Sequence, residues 1–364
     1  MHDEDTGSYP LKRVPAKGRG AASNADSRYA AYTTERVDDG WWPEDLPPSV
    51  TQVTREQAKS IISRNDSPDI PFEQSINPYR GCEHGCSYCY ARPSHAYLGL
   101  SPGLDFETRL WAKPDAAERL TQALSRPGYR VSPIALGANT DPYQPIERHW
   151  QITRQILEVL YACRHPVSIT TKSALIERDQ DLLASMAERG LVQVQISITT
   201  LDRHLARLME PRATSPARRL QAMAQLRSAG IPVSVMVAPI IPVLTDFELE
   251  TILARAAEAG ATRAGYIMLR LPLELETLFR EWLDDHYPSK AEHVWSLVRS
   301  MHAGQVYQSG FHQRQKGSGA YAEMIAQRFW LSLRRSGLQP TRLDELNGAA
   351  FIPPRPPSPQ FELF

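Results

Sequence analysis

Three cysteines lie close together in one short segment of the chain. Cys82, Cys86 and Cys89 follow a C-x3-C-x2-C spacing, with Gly81 and Gly85 beside the first two. Thiolates are soft ligands that suit iron–sulfur clusters or zinc. A cuboidal cluster normally takes four cysteines, so three thiolates bind three irons and leave the fourth iron open for another ligand. The two glycines allow the tight loop that brings three sulfurs around one cluster.

Zinc is the alternative occupant of these thiolates, with Cys163, His84 or His95 as its fourth ligand. Structural zinc usually binds two C-x2-C-like pairs, whereas this chain has one triplet and no second pair. Cys163 stands late in a predicted helix, where we expect a buried and unreactive thiol. For His84 and His95 we expect hydrogen bonds within loops. The spacing therefore favours an iron–sulfur cluster.

The composition indicates a sizeable globular protein in a reducing compartment. Of 364 residues, 42% are hydrophobic, and basic and acidic residues number 41 each. Zero net charge does not indicate a nucleic-acid or membrane partner. Four cysteines in a chain of this length do not suggest a disulfide framework. The first residues lack the apolar stretch of a signal peptide, and the longest apolar run contains three prolines, so we expect a soluble, cytoplasmic protein without a membrane span.

Short β-rich runs alternate with helical stretches through the middle of the chain. The alternation predicts an α/β fold with a parallel sheet and right-handed crossovers, and six units predict a partial (β/α)6 TIM-like barrel. The predicted strands are Gln74–Tyr79, Ser132–Leu136, Val167–Thr171, Val192–Ile198, Val233–Ala238 and Gly265–Leu269. The predicted helices are Ala116–Ser125, Gln151–Cys163, Gln180–Glu188, Ser215–Ser228 and Asp246–Ala259. The glycines expected to end three of these helices are Gly190, Gly230 and Gly260.

Four regions are predicted along the chain. Residues 1–55 are rich in charge, Gly, Ala, Ser and Pro, which predicts an irregular N-terminal arm, extended or disordered. That arm is either a solvated tail or a segment folded over the active-site mouth. Residues 70–272 form the partial barrel, residues 273–345 form a helical C-terminal extension, and residues 346–364 form a proline-rich tail.

Polar residues follow the predicted strands at their carboxyl ends, where the active site of a (β/α) barrel lies. Besides the cysteine loop, they are Asn139, Thr140 and Asp141 after the second strand, Thr170, Thr171 and Lys172 at the third, Ser197, Thr199 and Thr200 at the fourth, and Arg270 after the sixth. A barrel without a catalytic role need not concentrate polar groups on one rim. The pattern therefore predicts a functional site there.

The segment around the cysteines resembles the signature of radical S-adenosylmethionine (SAM) enzymes. The triplet carries Tyr88 directly before its last cysteine. The longer string NPYRGCEHGCSYCYAR, followed by YLGL and DFETRLWAK, is similar to the branch that contains spore photoproduct lyase and photolyase-like relatives. The resemblance covers roughly residues 75–270.

That resemblance implies two cofactors and a reaction. A 4Fe–4S cluster on Cys82, Cys86 and Cys89 would bind SAM at its open iron and, once reduced, release a 5′-deoxyadenosyl radical that abstracts hydrogen from a substrate. These cysteines are thus the expected metal ligands and catalytic residues. Apart from them the chain has only Cys163, so an external donor of flavodoxin or ferredoxin type must supply electrons. The alternative function is a non-catalytic iron–sulfur or zinc-binding regulatory module.

The resemblance also implies how SAM is held. The expected contacts are Lys172 for the carboxylate, Ser197 for the ribose or carboxylate, Asn139 and Thr140 for the amino-acid moiety, and Tyr88 and the backbone of Tyr90 for adenine. A lysine binds a carboxylate through a charge-assisted hydrogen bond. Ordinary packing of the tyrosines and a solvated rim lysine are the competing interpretations.

The hydrogen donor and the substrate stay open. Spore photoproduct lyase uses a cysteine after its second strand as hydrogen donor, whereas this chain has Ala138-Asn139-Thr140 there, which argues against repair of spore photoproduct. Tyr143 is a candidate for a substitute donor. Asp141 either caps the next helix or contacts substrate. Asp105, Glu107 and Lys113 are expected to form surface salt bridges.

Nucleic acid is a candidate substrate because basic and aromatic residues are interleaved late in the chain. Neutralisation of the backbone and stacking of bases are how such surfaces bind nucleic acid. The residues concerned are Arg212, Arg218, Arg219, Arg314, Lys316, Arg334 and Arg335, with Phe311, Tyr321, Phe329 and Trp330. The helical spacing of Phe329 and Trp330 also fits packing in the core.

Overall fold

The computed structural model describes residues 18–29, 50–343 and 345–354. The strands in this part of the chain are β1 (Gln52–Arg55), β2 (Ile62–Arg64), β3 (Gln74–Ile76), β4 (Tyr79–Arg80), β5 (Arg109–Ala112), β6 (Ile134–Leu136), β7 (Val167–Thr171), β8 (Val192–Ser197), β9 (Val233–Ile240), β10 (Arg263–Met268) and β11 (Gln339–Pro340). The α-helices are α1 (Asp105–Thr108), α2 (Ala116–Leu124), α3 (Glu147–Trp150), α4 (Ile152–Ala162), α5 (Gln180–Ala187), α6 (Arg203–Met209), α7 (Pro216–Ser228), α8 (Leu249–Glu258), α9 (Leu275–His286), α10 (Pro288–Met301), α11 (Gln313–Lys316) and α12 (Gly319–Arg335). Short 3-10 helices span Arg92–Leu98, Ala174–Asp179, Asp246–Glu248 and Gly348–Ala350.

An eight-stranded sheet forms the frame of the molecule, with the strand order β11-β10-β9-β8-β7-β6-β3-β2. Strands β3, β6, β7, β8, β9 and β10 are consecutive parallel neighbours. They correspond to the six predicted strands, so the predicted α/β partial barrel is confirmed. At the edges, β11 adds in parallel to the start of β10, and β2 adds antiparallel to β3. In the described chain β2 and β11 do not pair, which leaves one side of the barrel open.

Strand β8 shows how the sequence places a polar interior inside an apolar shell. Its residues alternate between apolar Val192, Val194 and Ile196 and polar Gln193, Gln195 and Ser197, and all six are buried. Successive side chains of a strand point to opposite faces, so one set packs beneath the helices and the other faces the barrel axis. Gln195 and Ser197 accordingly line the central cavity. Barrels of this kind are usually filled by large aliphatic residues, so this polar lining leaves room for a ligand.

The helices cover the outer face through apolar stripes at helical spacing. In α4, Ile152, Ile156, Leu157 and Leu160 are buried, which matches one helical face. The glycines predicted to end three helices all have positive φ values, with 67° at Gly190, 78° at Gly230 and 92° at Gly260. The last predicted barrel helix differs at its start, because Asp246–Glu248 is a 3-10 turn that leads into α8.

The described part of the N-terminal arm is ordered against the barrel. Residues 18–29 run beside the cysteine loop, and Leu104 N donates to Ser23 O at 3.2 Å. At the end of the predicted arm, the extended segment β1 pairs in parallel with β5. Other parts of the predicted arm and tail, residues 1–17, 30–49 and 355–364, lie outside the described residues. Within the described ranges, no helix has both the length and the apolarity needed to cross a bilayer.

Candidate active site

A cavity of about 730 Å³ fills the barrel interior between the cysteine loop and the open side of the sheet. The expected cluster ligands and SAM contacts all line this cavity: Cys82, Cys86, Tyr88, Cys89, Tyr90, Asn139, Thr140, Lys172 and Ser197. Thr199 and Thr200, also predicted on this rim, do not belong to its wall. Segments far apart in the sequence thus supply one continuous wall. The fold brings the predicted residues together, while their individual roles stay predictions.

The cysteine loop follows β4 and turns sharply twice. Gly81 and Gly85 have φ values of 74° and 66°, in the left-handed region that side chains disfavour. The thiols of Cys82 and Cys86 are buried and that of Cys89 is half-buried, and all three face the cavity. Both glycines that were predicted to allow a tight loop therefore adopt backbone conformations that favour glycine.

A buried arginine holds this loop from behind. Arg92 is completely buried, and its guanidinium donates to Cys86 O at 2.8 Å, to Gly85 O at 3.1 Å and to Gly103 O at 2.9 Å. The same group forms an ion pair with Glu107, which is also completely buried. A buried charge is tolerated only when it is paired and hydrogen-bonded, and here one guanidinium satisfies both conditions. The expectation of a surface salt bridge at Glu107 is therefore wrong.

The carboxylate of Glu107 also fastens the N-terminal arm to the loop. The backbone amides of Gly20 and Ala21 donate to its two oxygens at 3.0 and 2.9 Å. A Cβ atom at Gly20 would come within 1.6 Å of Gly85 O, so the two backbones touch at a point where only glycine fits. The arm thus packs on the outer side of the cysteine loop.

The environment of the thiols fits metal-bound thiolates. Burial raises the pKa of Cys82, Cys86 and Cys89, and the charge of Asp141 raises that of Cys82 further. Iron or zinc binds the thiolate form, so a cationic metal centre supplies the stabilisation that this buried loop lacks by itself. The three thiols on one loop therefore suit a metal group better than a reactive free cysteine.

The three residues considered as a fourth zinc ligand, Cys163, His84 and His95, each have a different environment in the fold. Cys163 is buried in the hydrophobic core. His95 bonds through Nε2 to Arg109 O at 2.8 Å, and His84 Nδ1 lies 3.3 Å from Asp141 Oδ2. Among the residues that the structure describes, no three His, Cys, Asp or Glu side chains converge as ligands of one ion would. A cuboidal cluster does not need that convergence, because each thiolate binds a different iron.

Lys172 and Ser197 meet on the cavity wall at the carboxyl ends of β7 and β8. Lys172 Nζ donates to Ser197 Oγ at 2.6 Å and to Ala238 O at 3.3 Å, and it lies 3.9 Å from Glu210 Oε1. The ammonium also lies 5.8 Å from the centre of the Tyr88 ring. Two residues predicted as separate SAM contacts are therefore hydrogen-bonded to each other.

Glu210 and Arg219 form a second buried ion pair beneath this wall. Arg219 is 1% exposed, and its guanidinium donates to Ser197 O at 2.9 Å. Tyr88 donates its hydroxyl to Glu210, which fixes the ring of that tyrosine. Burial would raise the pKa of Glu210, but the charges of Arg219 and Lys172 outweigh it and lower this pKa to about 2. The sequence missed Glu210 and assigned Arg219 to a nucleic-acid surface, which its burial contradicts.

Asp141 connects the rim loops instead of reaching into open solvent. Its carboxylate accepts from Tyr143 N at 2.8 Å, from Thr171 Oγ1 at 2.7 Å and from Lys172 N at 2.8 Å. His84 of the cysteine loop faces the same group. Burial would raise the pKa of Asp141, and His84 with these hydrogen bonds lowers it. Asp141 thus fixes the position of Lys172 relative to the cysteines.

The remaining predicted contacts stand on the loop after β6 and on the cysteine loop. The amides of Asn139 and Thr140 donate to Asn77 Oδ1 at 3.0 and 3.4 Å, which fixes this loop. Tyr90 donates its hydroxyl to Ala138 O while 43% of the residue stays exposed. These contacts explain why the loop holds its position across from the cysteines.

Tyr143 is poorly placed for the role of substitute hydrogen donor. It is completely buried, and its hydroxyl donates to Asp179 Oδ2 at 3.0 Å. It does not belong to the cavity wall. The hydroxyl therefore joins the loop after β6 to the 3-10 turn before α5 rather than facing a bound ligand.

The arginines considered for a nucleic-acid surface are largely engaged in ion pairs. The pairs are Arg212 with Glu83, Arg218 with Glu177, Arg219 with Glu210 and Arg314 with Asp69. Phe329 is buried, as the core-packing interpretation holds, whereas Trp330 is 46% exposed and lines the cavity. Four of these arginines therefore have a carboxylate partner.

Comparison with known proteins agrees with this geometry. Residues 76–256 match the family model described as Radical SAM superfamily. An uncharacterized protein of Mycobacterium tuberculosis is 39% identical over 232 residues, which are 63% of this chain and 68% of the relative. An uncharacterized protein of Methanocaldococcus jannaschii is 28% identical over 244 residues, 67% of this chain and 87% of the relative.

Solved structures of spore photoproduct lyase share the fold. The form complexed with dinucleoside spore photoproduct matches with a TM-score of 0.57 and 16% identity, covering 79% of this chain and 81% of that chain. A double mutant of the same enzyme, with bound AdoMet and dinucleoside spore photoproduct, matches with a TM-score of 0.57 and 16% identity over the same shares. At this identity the likeness is one of architecture.

Proposed function

This chain belongs to the radical SAM superfamily, and from that membership we propose that Cys82, Cys86 and Cys89 hold a 4Fe–4S cluster with one iron open to SAM. When bound and reduced, the cluster supplies cleavage of SAM to a 5′-deoxyadenosyl radical, which abstracts hydrogen from a substrate. One observation carries the proposal. The three thiols and all six expected SAM contacts line the same cavity.

Lys172 binds the SAM carboxylate in this proposal. An ammonium group has three donors, and Ser197 and Ala238 take two of them. The third is left for a ligand oxygen, with which it forms a charge-assisted hydrogen bond. Glu210, at 3.9 Å, and Asp141, through the backbone amide, keep the lysine in place without occupying that donor.

The tyrosines offer their rings and backbone to adenine. Because the hydroxyl of Tyr88 is bound to Glu210, the ring is held rigid and the residue presents an apolar surface. Tyr90 is fixed by its own hydrogen bond to Ala138 O, so its backbone keeps a defined position beside the cysteines. Asn139 and Thr140 complete the wall opposite, where the amino-acid moiety of SAM is expected.

An external electron donor of flavodoxin or ferredoxin type completes the proposal. The only cysteine besides the triplet is Cys163, which is buried in the core and does not line the cavity. All four cysteines are free thiols, which fits a reducing, cytoplasmic compartment. Support for a nucleic-acid substrate comes from the dinucleoside bound to the structural neighbour and not from the basic clusters of this chain.

Anaerobic reconstitution of the full chain tests the proposal. We expect about four irons and four sulfides per chain, as a cuboidal cluster requires, and 5′-deoxyadenosine on reduction with SAM. Cys89→Ala should lose both, whereas Cys163→Ala, the matched control from the core, should keep both. Zinc in place of iron, or a cluster without 5′-deoxyadenosine, would instead support the non-catalytic module.

A further inference from the structure

The cavity extends away from the cysteines to the open side of the barrel, where a loop and two helices form part of its wall. There it is bordered by residues 68–72 of the β2–β3 loop, by α11 and by Trp330 of α12. Strand β11 pairs with β10 only at Arg263 and Ala264. The rest of the β10 edge therefore faces the cavity and not another strand.

Lys316 stands on this open edge. Its Nζ donates to Tyr266 O at 2.6 Å, at a point of β10 that β11 does not reach, and lies 3.3 Å from the centre of the Tyr266 ring. Within the described ranges no carboxylate pairs with it, and burial lowers the pKa of its ammonium to about 7. Two of its three donors remain unassigned. A half-buried ammonium without a counter-ion is costly to keep, so a contribution from a ligand is expected.

Arg270 is the second unpaired cation of the wall. It follows β10, and its guanidinium lies 4.4 Å from the centre of the Tyr90 ring, beside the cysteine loop. In the described part of the chain it too has no carboxylate partner, and its planar group offers donors in a fork that suits oxyanions.

The carboxylates of the cavity wall do not offset these charges. Among the described residues, two carboxylates line it, and each is already engaged, Asp69 with Arg314 and Asp141 with His84. Lys172 is assigned to the SAM carboxylate, which leaves Arg270 and Lys316 without a carboxylate partner on the described cavity wall.

We propose that Arg270 and Lys316 bind the anionic groups, phosphate or carboxylate, of a substrate whose apolar or aromatic body lies in the open half of the cavity. This inference rests on the proposed function, because it names the substrate class of the same cavity. Trp330, 46% exposed, supplies the aromatic surface against which such a body packs, and the buried rings of Tyr266 and Phe329 lie at the base of this part of the cavity.

A fluorescent pair of probes tests the site directly. 8-Anilinonaphthalene-1-sulfonate is an aromatic anion, and N-phenyl-1-naphthylamine is its uncharged analogue. With the reconstituted full chain we expect the anion to bind at least about tenfold more tightly, the size of one charge-assisted hydrogen bond. Lys316→Met and Arg270→Gln should each remove most of that preference. Equal binding of the two probes by the unmodified chain would overturn the inference.

Lys290 provides the matched control. Its ammonium also lies over a tyrosine ring, 5.8 Å from the centre of Tyr287, but outside the cavity wall. Lys290→Met should leave the preference for the anion unchanged. A loss as large as that of Lys316→Met would overturn the inference, because it would show that the dye reports general surface charge.

Competition identifies the source of the anionic group. Displacement of the dye by 1-naphthyl phosphate or 1-naphthoate alone supports a small-molecule substrate, and displacement by a thymidine dinucleotide or an oligonucleotide supports a nucleic acid. Displacement by none of them contradicts the inference. The result is independent of SAM cleavage: charge-selective dye binding without 5′-deoxyadenosine contradicts the proposed function alone, and the reverse outcome contradicts this inference alone.

Discussion

Charged side chains in two parts of the central cavity differ in whether they have a partner of opposite charge. Around the cysteine loop, buried charges come in pairs, as with Arg92 and Glu107, both completely buried. Further along the wall, Arg270 beside Tyr90 and Lys316 on the open side stand without carboxylate partners in the described chain, and each rests on an aromatic ring instead. The first arrangement is complete without a ligand, and the second is not.

This difference indicates a division of labour. A closed network of pairs and backbone hydrogen bonds holds a loop in one geometry, which a permanent cofactor requires. Unpaired cations give a cavity a positive potential that attracts anions. Such a potential suits a substrate that binds and dissociates in each catalytic cycle. We therefore expect substitutions at the paired end to act on stability and those at the open end to act on binding.

The largest effect should come from Arg92→Met. The substitution leaves Glu107 buried without its partner and removes four hydrogen bonds to backbone carbonyls, so we expect a loss of about 3–5 kcal/mol in the free energy of unfolding. Chemical denaturation of the chain measures it. Arg119→Met, which breaks an exposed i,i+4 pair with Asp115, is the control and should cost less than about 1 kcal/mol. Equal losses of unfolding free energy in the two variants would show that the buried pair near the cysteine loop matters no more for stability than a surface pair.

A smaller loss is expected where the arm meets the cysteine loop. Gly20→Ala would place a methyl group 1.6 Å from Gly85 O, so the arm must move away, at a cost of about 1–3 kcal/mol. Hydrogen exchange at the amides of Gly20 and Ala21 should then become faster, because their bonds to Glu107 are lost. Gly348→Ala has its nearest neighbour at 3.6 Å and should change neither quantity. Unchanged exchange in Gly20→Ala would show that the arm does not depend on this contact.

The pH dependence of stability sharpens the comparison at the open end. The pKa of Lys316 falls from its usual 10.5 to about 7 on folding, because burial disfavours the charged form. Between these values the unfolded chain binds more protons, so stability rises with pH, by at most about 1.4 kcal/mol per pH unit. The penalty is complete below pH 7 and disappears towards pH 10.5. Lys316→Met should therefore stabilise the chain more at about pH 7 than at about pH 9, as thermal unfolding can show. A constant difference would mean that this ammonium is not desolvated.

The smallest effect is expected at Tyr143. Tyr143→Phe removes a buried hydrogen bond to Asp179 and should cost about 1 kcal/mol in unfolding free energy. Because Tyr143 is not part of the cavity wall, the rate of 5′-deoxyadenosine formation should not change. A lower rate without loss of stability would return this tyrosine to the candidate hydrogen donors.

The fold was predictable where the signal is local. Alternation of strands and helices gave the six parallel strands, and the cysteine spacing with Tyr88 gave the superfamily, because both patterns lie within short windows. In β8, Gln195 and Ser197 stand where a filled barrel has large aliphatic residues, which is a local signal of a cavity that strand prediction alone does not use.

The charge network was not predictable, because its partners are distant in sequence. Glu107 pairs with Arg92, 15 residues away, and accepts from Gly20, 87 residues away, so its local surroundings look like those of a surface residue. Arg219 similarly stands beside Arg218 on α7, and only the fold turns one inward to Glu210 and the other outward to Glu177. A short sequence window shows that a residue is polar, but it does not show which distant residue will pair with it.

The most direct test of the central claim is the electron paramagnetic resonance spectrum of the reduced, reconstituted chain before and after addition of SAM. The account predicts the signal of a reduced 4Fe–4S cluster whose shape changes when SAM occupies the open iron, in the unmodified chain and in Cys163→Ala but not in Cys89→Ala. A signal that SAM leaves unchanged, or a protein that takes up zinc and shows no signal, would contradict it.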